Sequence, residues 1–159
     1  MAIKMGYSGI GGILTAFKDL VKEFKSGSKI VFVGSIGVCT PLAELLAYAV
    51  RNKDFEMIYI ANADIASARR MELVEGIGYR VTDDHADPMN PDVILILGGL
   101  SMPKYPTTAE DVFAMIQKIS IHARILGLCF MGSFEKMGWR KVIPFDYVID
   151  GVIDPVTVG

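Results

Sequence analysis

Asp92-Val93-Ile94-Leu95-Ile96-Leu97 restricts the fold of this chain more than any other stretch: five aliphatic residues stand in a row, with Pro91 before and Gly98-Gly99 after. A strand with one wet face alternates apolar and polar residues, so an unbroken run marks a strand buried on both faces. Lys29-Ile30-Val31-Phe32-Val33 has the same character and stops at Gly34. Two such runs belong side by side and parallel, at the centre of a sheet whose faces are both covered.

The covering elements are visible as helical periodicity. Ile13, Phe17, Leu20, Val21 and Phe24 share one helical face opposite Lys18, Asp19, Lys22 and Glu23, which predicts a helix over about 11–25 that Ser26-Gly27-Ser28 ends. Thr40 is positioned to cap a helix beginning at Pro41, with Leu42, Leu45, Leu46 and Ala49 as its buried stripe. A second strand follows at 57–61, and Asp64 is placed to cap a helix running to the stop signals Gly76 and Gly78. Residues 79–82 form a weak strand, and 83–91 a polar connector. Thr107-Thr108-Ala109-Glu110 has the form of a capping box for a helix carrying Val112, Phe113, Ile116 and Ile119, closed by His122. A strand at 125–130 follows, and residues 141–158 suggest one or two short edge strands.

Strands alternating with helices require right-handed crossovers, so the expected fold is α/β: a three-layer α/β/α sandwich with a mostly parallel sheet, Rossmann-like or flavodoxin-like. The 159 residues are 52% hydrophobic and 21% charged, which suits one domain over the whole chain, residues 1–159. A net charge of −2 and the lack of a Lys/Arg cluster speak against a nucleic-acid partner. No apolar run approaches the roughly 20 residues that span a bilayer. Met1-Ala2-Ile3-Lys4-Met5-Gly6 has no signal-peptide pattern, so no membrane partner and a cytoplasmic location are expected. Cys39 and Cys129 belong to no CxxC pair, and no disulfide is expected between them.

In open parallel sheets, ligands sit at the carboxyl ends of the strands, where the loops diverge at the topological switch point. Three loops qualify: 34–41, 98–106 and 131–134. From them the candidate ligand-binding residues are Gly34, Ser35, Gly37, Cys39, Thr40, Gly98, Gly99, Ser101, Met131, Gly132 and Ser133, joined by Asp64 at the exit of the second strand. The first loop leads into a helix N-terminus suited to phosphate or carboxylate, although its glycines depart from GxGxxG spacing. A side chain at Gly37 would occupy the space through which an anion approaches. Asp64 is also the natural N-cap of the next helix, which it satisfies without any ligand. Cys39, just before a helix, and Cys129, at a strand end, are the candidate catalytic thiols, with the catalytic residues otherwise unknown. Both are expected at the carboxyl-end rim, flanking the strand at Asp92 roughly 10 Å apart and lining one pocket. No metal site is expected, since Asp83-Asp84-His85-Ala86-Asp87 reads as a solvated turn. Trp139 fits either the core or a pocket wall.

Some of these segments resemble known families. Asn62-Ala63-Asp64 resembles the second-strand acid of S-adenosylmethionine-dependent methyltransferases. Ile125-Leu126-Gly127-Leu128-Cys129-Phe130-Met131-Gly132-Ser133 resembles the nucleophile elbow of class I glutamine amidotransferases, and residues 91–99 look like the strand and GG loop that precede it there. The elbow's C-x-G spacing is stretched here, and no histidine follows Cys129. Over nearly its whole length, and above all through Gly34-Ser35-Ile36-Gly37-Val38-Cys39-Thr40-Pro41 and residues 127–139, the chain resembles an uncharacterised family of methanogenic archaea. That resemblance implies a cytoplasmic protein of an anaerobe, with reduced thiols, and transfers no activity.

The sequence therefore leads to a protein of unknown function expected to bind an anionic or nucleotide-like small molecule, with S-adenosylmethionine or a nucleotide as the cofactor candidates. A thiol enzyme or redox sensor using Cys129 or Cys39 is the first alternative. A non-catalytic interaction module, with a homodimer among the expectations, is the second.

Overall fold

Backbone groups in a doubly buried strand have no water to turn to, so each must be paired along both edges. β5 (Val93–Leu97) meets this by lying between β1 (Lys29–Gly34) and β6 (Arg124–Phe130), parallel to both. The two most apolar runs are thus neighbours, with Val31 opposite Ile94 and Phe32 opposite Leu95. The computed structural model describes residues 6–159; residues 1–5, which carry most of the signal-peptide reading, lie outside the described residues.

The remaining strands are β2 (Glu56–Ala61), β3 (Arg69–Val74), β4 (Gly78–His85) and β7 (Tyr147–Gly151), and the sheet order is β4-β3-β2-β1-β5-β6-β7. The pairs β2–β1–β5–β6–β7 are all parallel, while β3 runs antiparallel to both its neighbours. Among the parallel strands the order is second, first, third, fourth, fifth, the flavodoxin-like arrangement, with its switch point between β1 and β5. One face packs α1 (Gly9–Val21) and α2 (Thr40–Ala49) on Phe32 and Leu95; the other packs α3 (Ala109–Ile119) and the short α4 (Ser133–Lys136) on Val31 and Ile94. The three-layer sandwich expected from the sequence is the observed architecture.

Acids placed just before two strands set their start. The Asp92 carboxylate accepts the Lys29 N–H at 2.8 Å, and Asp146 accepts the Ile125 N–H at 2.8 Å. The Asp92 backbone also bonds Lys29 and Arg124 on either side, so one residue ties together the beginnings of β1, β5 and β6. At the same end, Arg124 pairs with Glu23 and bonds the Leu20 carbonyl, which fixes the end of α1 there.

Several expected elements differ. Asp64 caps only a single 3-10 turn (Ile65–Ser67), and the helix expected to follow it is instead the β3–β4 hairpin. Gly76 (φ 77°) and Gly78 (φ 119°) belong to the hairpin turn rather than to a helix stop. The reason is non-local: β2 is almost wholly buried, and β3 supplies its outer edge through Ile58↔Arg70 and Tyr59↔Arg69. The weak strand at 79–82 extends to His85, taking in part of the expected connector, and its charged residues blunt the sheet edge.

Helix boundaries shift by small amounts. α1 covers Gly9–Val21 rather than 11–25, although Leu20 and Phe24 still pack on the core. α2 starts at Thr40 with Cys39 as N-cap, and its buried residues are Ala43, Leu46 and Ala47, while Leu45 is turned outward at 38% exposure. The capping box of α3 is Thr108 with Asp111, one residue later than expected, and His122 lies beyond the helix end at Ile119. In the stretch 141–158, β7 is the strand; the residues after Gly151 are exposed. No helix among the described residues is long and apolar enough to cross a membrane.

The α2 face yields a direct check. Leu46→Ala is expected to lower stability by about 2–5 kcal/mol, whereas Leu45→Ala should cost under about 1 kcal/mol. Urea unfolding midpoints measure both, and equal losses would contradict this orientation of α2.

Candidate functional site

All five parallel strands end on one edge, and the loops leaving β1, β5 and β6 meet there. Gly34, Gly98 and Gly99 are all tightly enclosed there. A Cβ on Gly98 would stand 2.6 Å from Cys129 Cβ and 2.9 Å from its Cα; one on Gly99 would stand 2.5 Å from Cys39 Sγ. The two cysteines therefore press on the Gly98–Gly99 segment from opposite faces of the sheet, Cys39 from the α1/α2 layer and Cys129 from the α3/α4 layer. They share the rim on either flank of β5, as expected, but they do not line one pocket.

Around β1 the polar groups turn inward. The fully buried Ser35 hydroxyl donates to Cys39 Sγ at 3.2 Å, and the Tyr59 phenol donates to the Ser35 carbonyl at 2.6 Å. Burial drives the ionisation of Tyr59 upward. Gly34 backs onto Cys39 and the Tyr59 hydroxyl. The exposed part of the loop is Ile36-Gly37-Val38. Space around a Cβ at Gly37 is open, yet its φ of +86° demands glycine by itself, with or without a ligand.

The β5 and β6 exits behave likewise. Buried Ser101 donates to the Gly98 carbonyl at 2.6 Å and lies 3.4 Å from the Ser133 hydroxyl. After β6 the strained backbone of the elbow falls on Met131 (φ 56°) and Gly132 (φ 70°), not on Cys129. A thioether is displayed where the amidotransferase-like reading would need the thiol, and Cys129 stays buried. Burial pushes the Cys129 thiol up; a bond from Phe134 N–H opposes this, and the Asp150 charge reinforces it. The thiol is therefore protonated and sheltered at neutral pH, a poor nucleophile.

Asp150, at the end of β7, was missed in the sequence. Its carboxylate accepts the Gly132 N–H at 3.0 Å and the Cys129 thiol at 3.6 Å while remaining exposed. The available signal was an acid at the end of Tyr147-Val148-Ile149, followed by Gly151. Asp64 acts as a cap, accepting the Ala66 N–H at 3.1 Å. Asp84 and His85 are engaged within the hairpin by Arg70 and Arg69, and no group of three or more metal-ligating side chains gathers among the described residues. Trp139 is both core and wall: it packs on Phe134 and lines a cavity of about 270 Å³ with Met102, Tyr105 and Met137, on the α3 side of the β5 loop.

The helix ends at this edge are not alike. α3 satisfies its own N-terminus, with Thr108 and Asp111 bonding each other's backbone. α2 opens with no side-chain cap bond and no acid in its first turn. α1 begins in the same way, and because its Ile13 packs near Gly151 while Leu20 meets Arg124, its start also lies at the carboxyl edge.

Fold and rim define a flavodoxin-like α/β domain whose carboxyl edge carries two helix starts without a side-chain cap bond among the described residues, α2 by the β5 exit and α1 by the β7 exit. Residues 8–154 match the family described as an uncharacterized protein conserved in archaea (DUF2124), and the chain belongs to that family. It is 40% identical over 149 residues to an uncharacterized protein of Methanothermobacter thermautotrophicus, covering 93% of this chain and 92% of that one. An uncharacterized protein of Methanocaldococcus jannaschii is 38% identical over 146 residues, 92% of this chain and 87% of the relative. The crystal structure of a protein of unknown function from Methanothermobacter thermautotrophicus superimposes with a TM-score of 0.87 at 37% identity, covering all of this chain and 98% of that one.

Two measurements follow from the rim. Gly98→Ala, whose methyl meets backbone, is expected to cost about 1–3 kcal/mol. Iodoacetamide should modify Cys129 far more slowly in the folded protein than in urea at pH 8, and equal rates would show that the thiol is not sheltered. Because the folded-state pKa is raised, the stability it carries is full below the unfolded value near 9.0 and is lost as pH climbs above it.

Proposed function

We propose that this protein binds a small anionic molecule on the carboxyl-edge rim at the switch point between β1 and β5. The observation that carries the reading is the contrast between helix starts: α3 caps itself, while α2, at the switch point, has no side-chain cap bond and no acid in its first turn. Such an end holds about half a positive charge and favours phosphate or carboxylate. The exposed loop at Gly37, with no side chain in the way, supports close approach of a ligand to the backbone. Nucleotides and the carboxylate of S-adenosylmethionine belong to the class of ligand this rim suits. Buried Cys39 and Cys129, the latter with a raised thiol, favour binding over thiol chemistry as the role of the rim.

Thermal unfolding with inorganic phosphate, AMP, ATP and S-adenosylmethionine tests the reading. A binder present at 100 times its dissociation constant adds about 2.7 kcal/mol, a shift of several degrees for a domain this size. Pro41 is exposed in the first turn of α2. Pro41→Glu is expected to remove the ligand-induced shift while changing the stability of the ligand-free protein by less than about 1 kcal/mol. No shift with any of the four compounds, or a shift that Pro41→Glu leaves intact, overturns the proposal.

A further inference from the structure

The rim that surrounds these loops is apolar and uncovered. Ile36 and Val38 after β1, Met102 after β5, Met131 after β6, and Val152 and Ile153 after β7 are between 46% and 73% exposed. Neighbouring strand exits bring them together: Val38 lies against Gly99, and the Ile153 N–H reaches the Met131 sulfur at 3.4 Å. Ile10 in the first turn of α1 and Met137 just after α4, also exposed, extend the patch. The eight side chains together present on the order of 800 Å², the share that one partner gives to a standard-size interface. Taken as one surface, the sum is more than the roughly 300–600 Å² expected of the largest apolar patch on a monomer.

We propose that two copies of this chain meet carboxyl edge to carboxyl edge about a twofold axis. In a twofold contact the same patch serves on both copies, so an apolar surface meets an apolar surface. Its charged surroundings suit the same symmetry, since exposed Lys104 and Lys136 share the edge with exposed Asp150 and Asp154 and each sign can face its opposite. In this arrangement the loops at Gly37 and Gly99 of both copies face a common space, so the anionic molecule is enclosed between them. Only that last step rests on the function proposed above; the interface itself stands on apolar area. The competing patch, formed by Tyr48, Leu73, Val74 and Ile77 at the other end of the sheet, is roughly half as large and within the range ordinary for a monomer.

The test is the mass of the 159-residue chain by sedimentation equilibrium, without added ligand, from low to high micromolar concentration. A particle of twice 17.4 kDa is expected. Val152→Asp/Ile153→Asp lies in the exposed tail beyond β7 and should raise the dimer dissociation constant by at least roughly 100-fold with an unchanged circular dichroism spectrum. Ile77→Asp should leave the dimer intact. A monomer at every concentration, or a dimer broken by Ile77→Asp and not by the tail variant, overturns the interface. A monomer still stabilised by one of the four anionic compounds refutes the interface alone, whereas a dimer that none of them stabilises refutes only the anion reading.

Discussion

The structure depends on one requirement: the peptide groups of β1 and β5, sealed from water on both faces, must be hydrogen-bonded along both edges. Each strand satisfies the other on one side. The need then passes outward, to β2 and the hairpin on one flank and to β6 and β7 on the other, and ends where side chains become polar. The helices follow from the same requirement, because an apolar face of Phe32 and Leu95, or of Val31 and Ile94, has to be covered. Sheet order, layer assignment and the switch point are therefore consequences of two short aliphatic runs.

That chain of necessity explains which parts could be read in advance. β1, β5 and β6 were legible because unbroken apolar runs admit little besides a buried strand, and α3 because its capping residues act locally. The hairpin was illegible because Gly76 and Gly78 serve a helix stop and a turn equally well. What decides between them is the unpaired edge of β2, which Arg69 and Arg70 meet through Tyr59 and Ile58. At the rim, the loops were legible as strand exits but their side-chain directions were not. Ser35 and Ser101 were read as facing a ligand; tight backbone geometry turns both into the core, onto Cys39 and the Gly98 carbonyl. Asp150 went unread because its strand looked like a frayed tail.

The Gly98–Gly99 segment lies between the two helical layers at this edge. Cys129 bears on it from one side and Cys39 from the other. Any side chain larger than hydrogen at either glycine would displace one layer, so the close packing of the rim and the absence of side chains on the loop are a single property. The same segment carries the turn that positions Met102 and the wall of the Trp139 cavity.

The clamp at Asp92 also bears on how the chain assembles. Its bond to the Lys29 N–H joins residues 63 apart in sequence, and the parallel pairing of β1 with β5 is equally non-local. Loop-closure entropy is lost before such pairing returns anything, which gives a fold of this kind a high contact order and slow search. The β3–β4 hairpin, closed from Val74 to Gly78, needs no such search. The registers of β1, β5 and β6 are therefore not independent: all three are referred to the one residue where they begin.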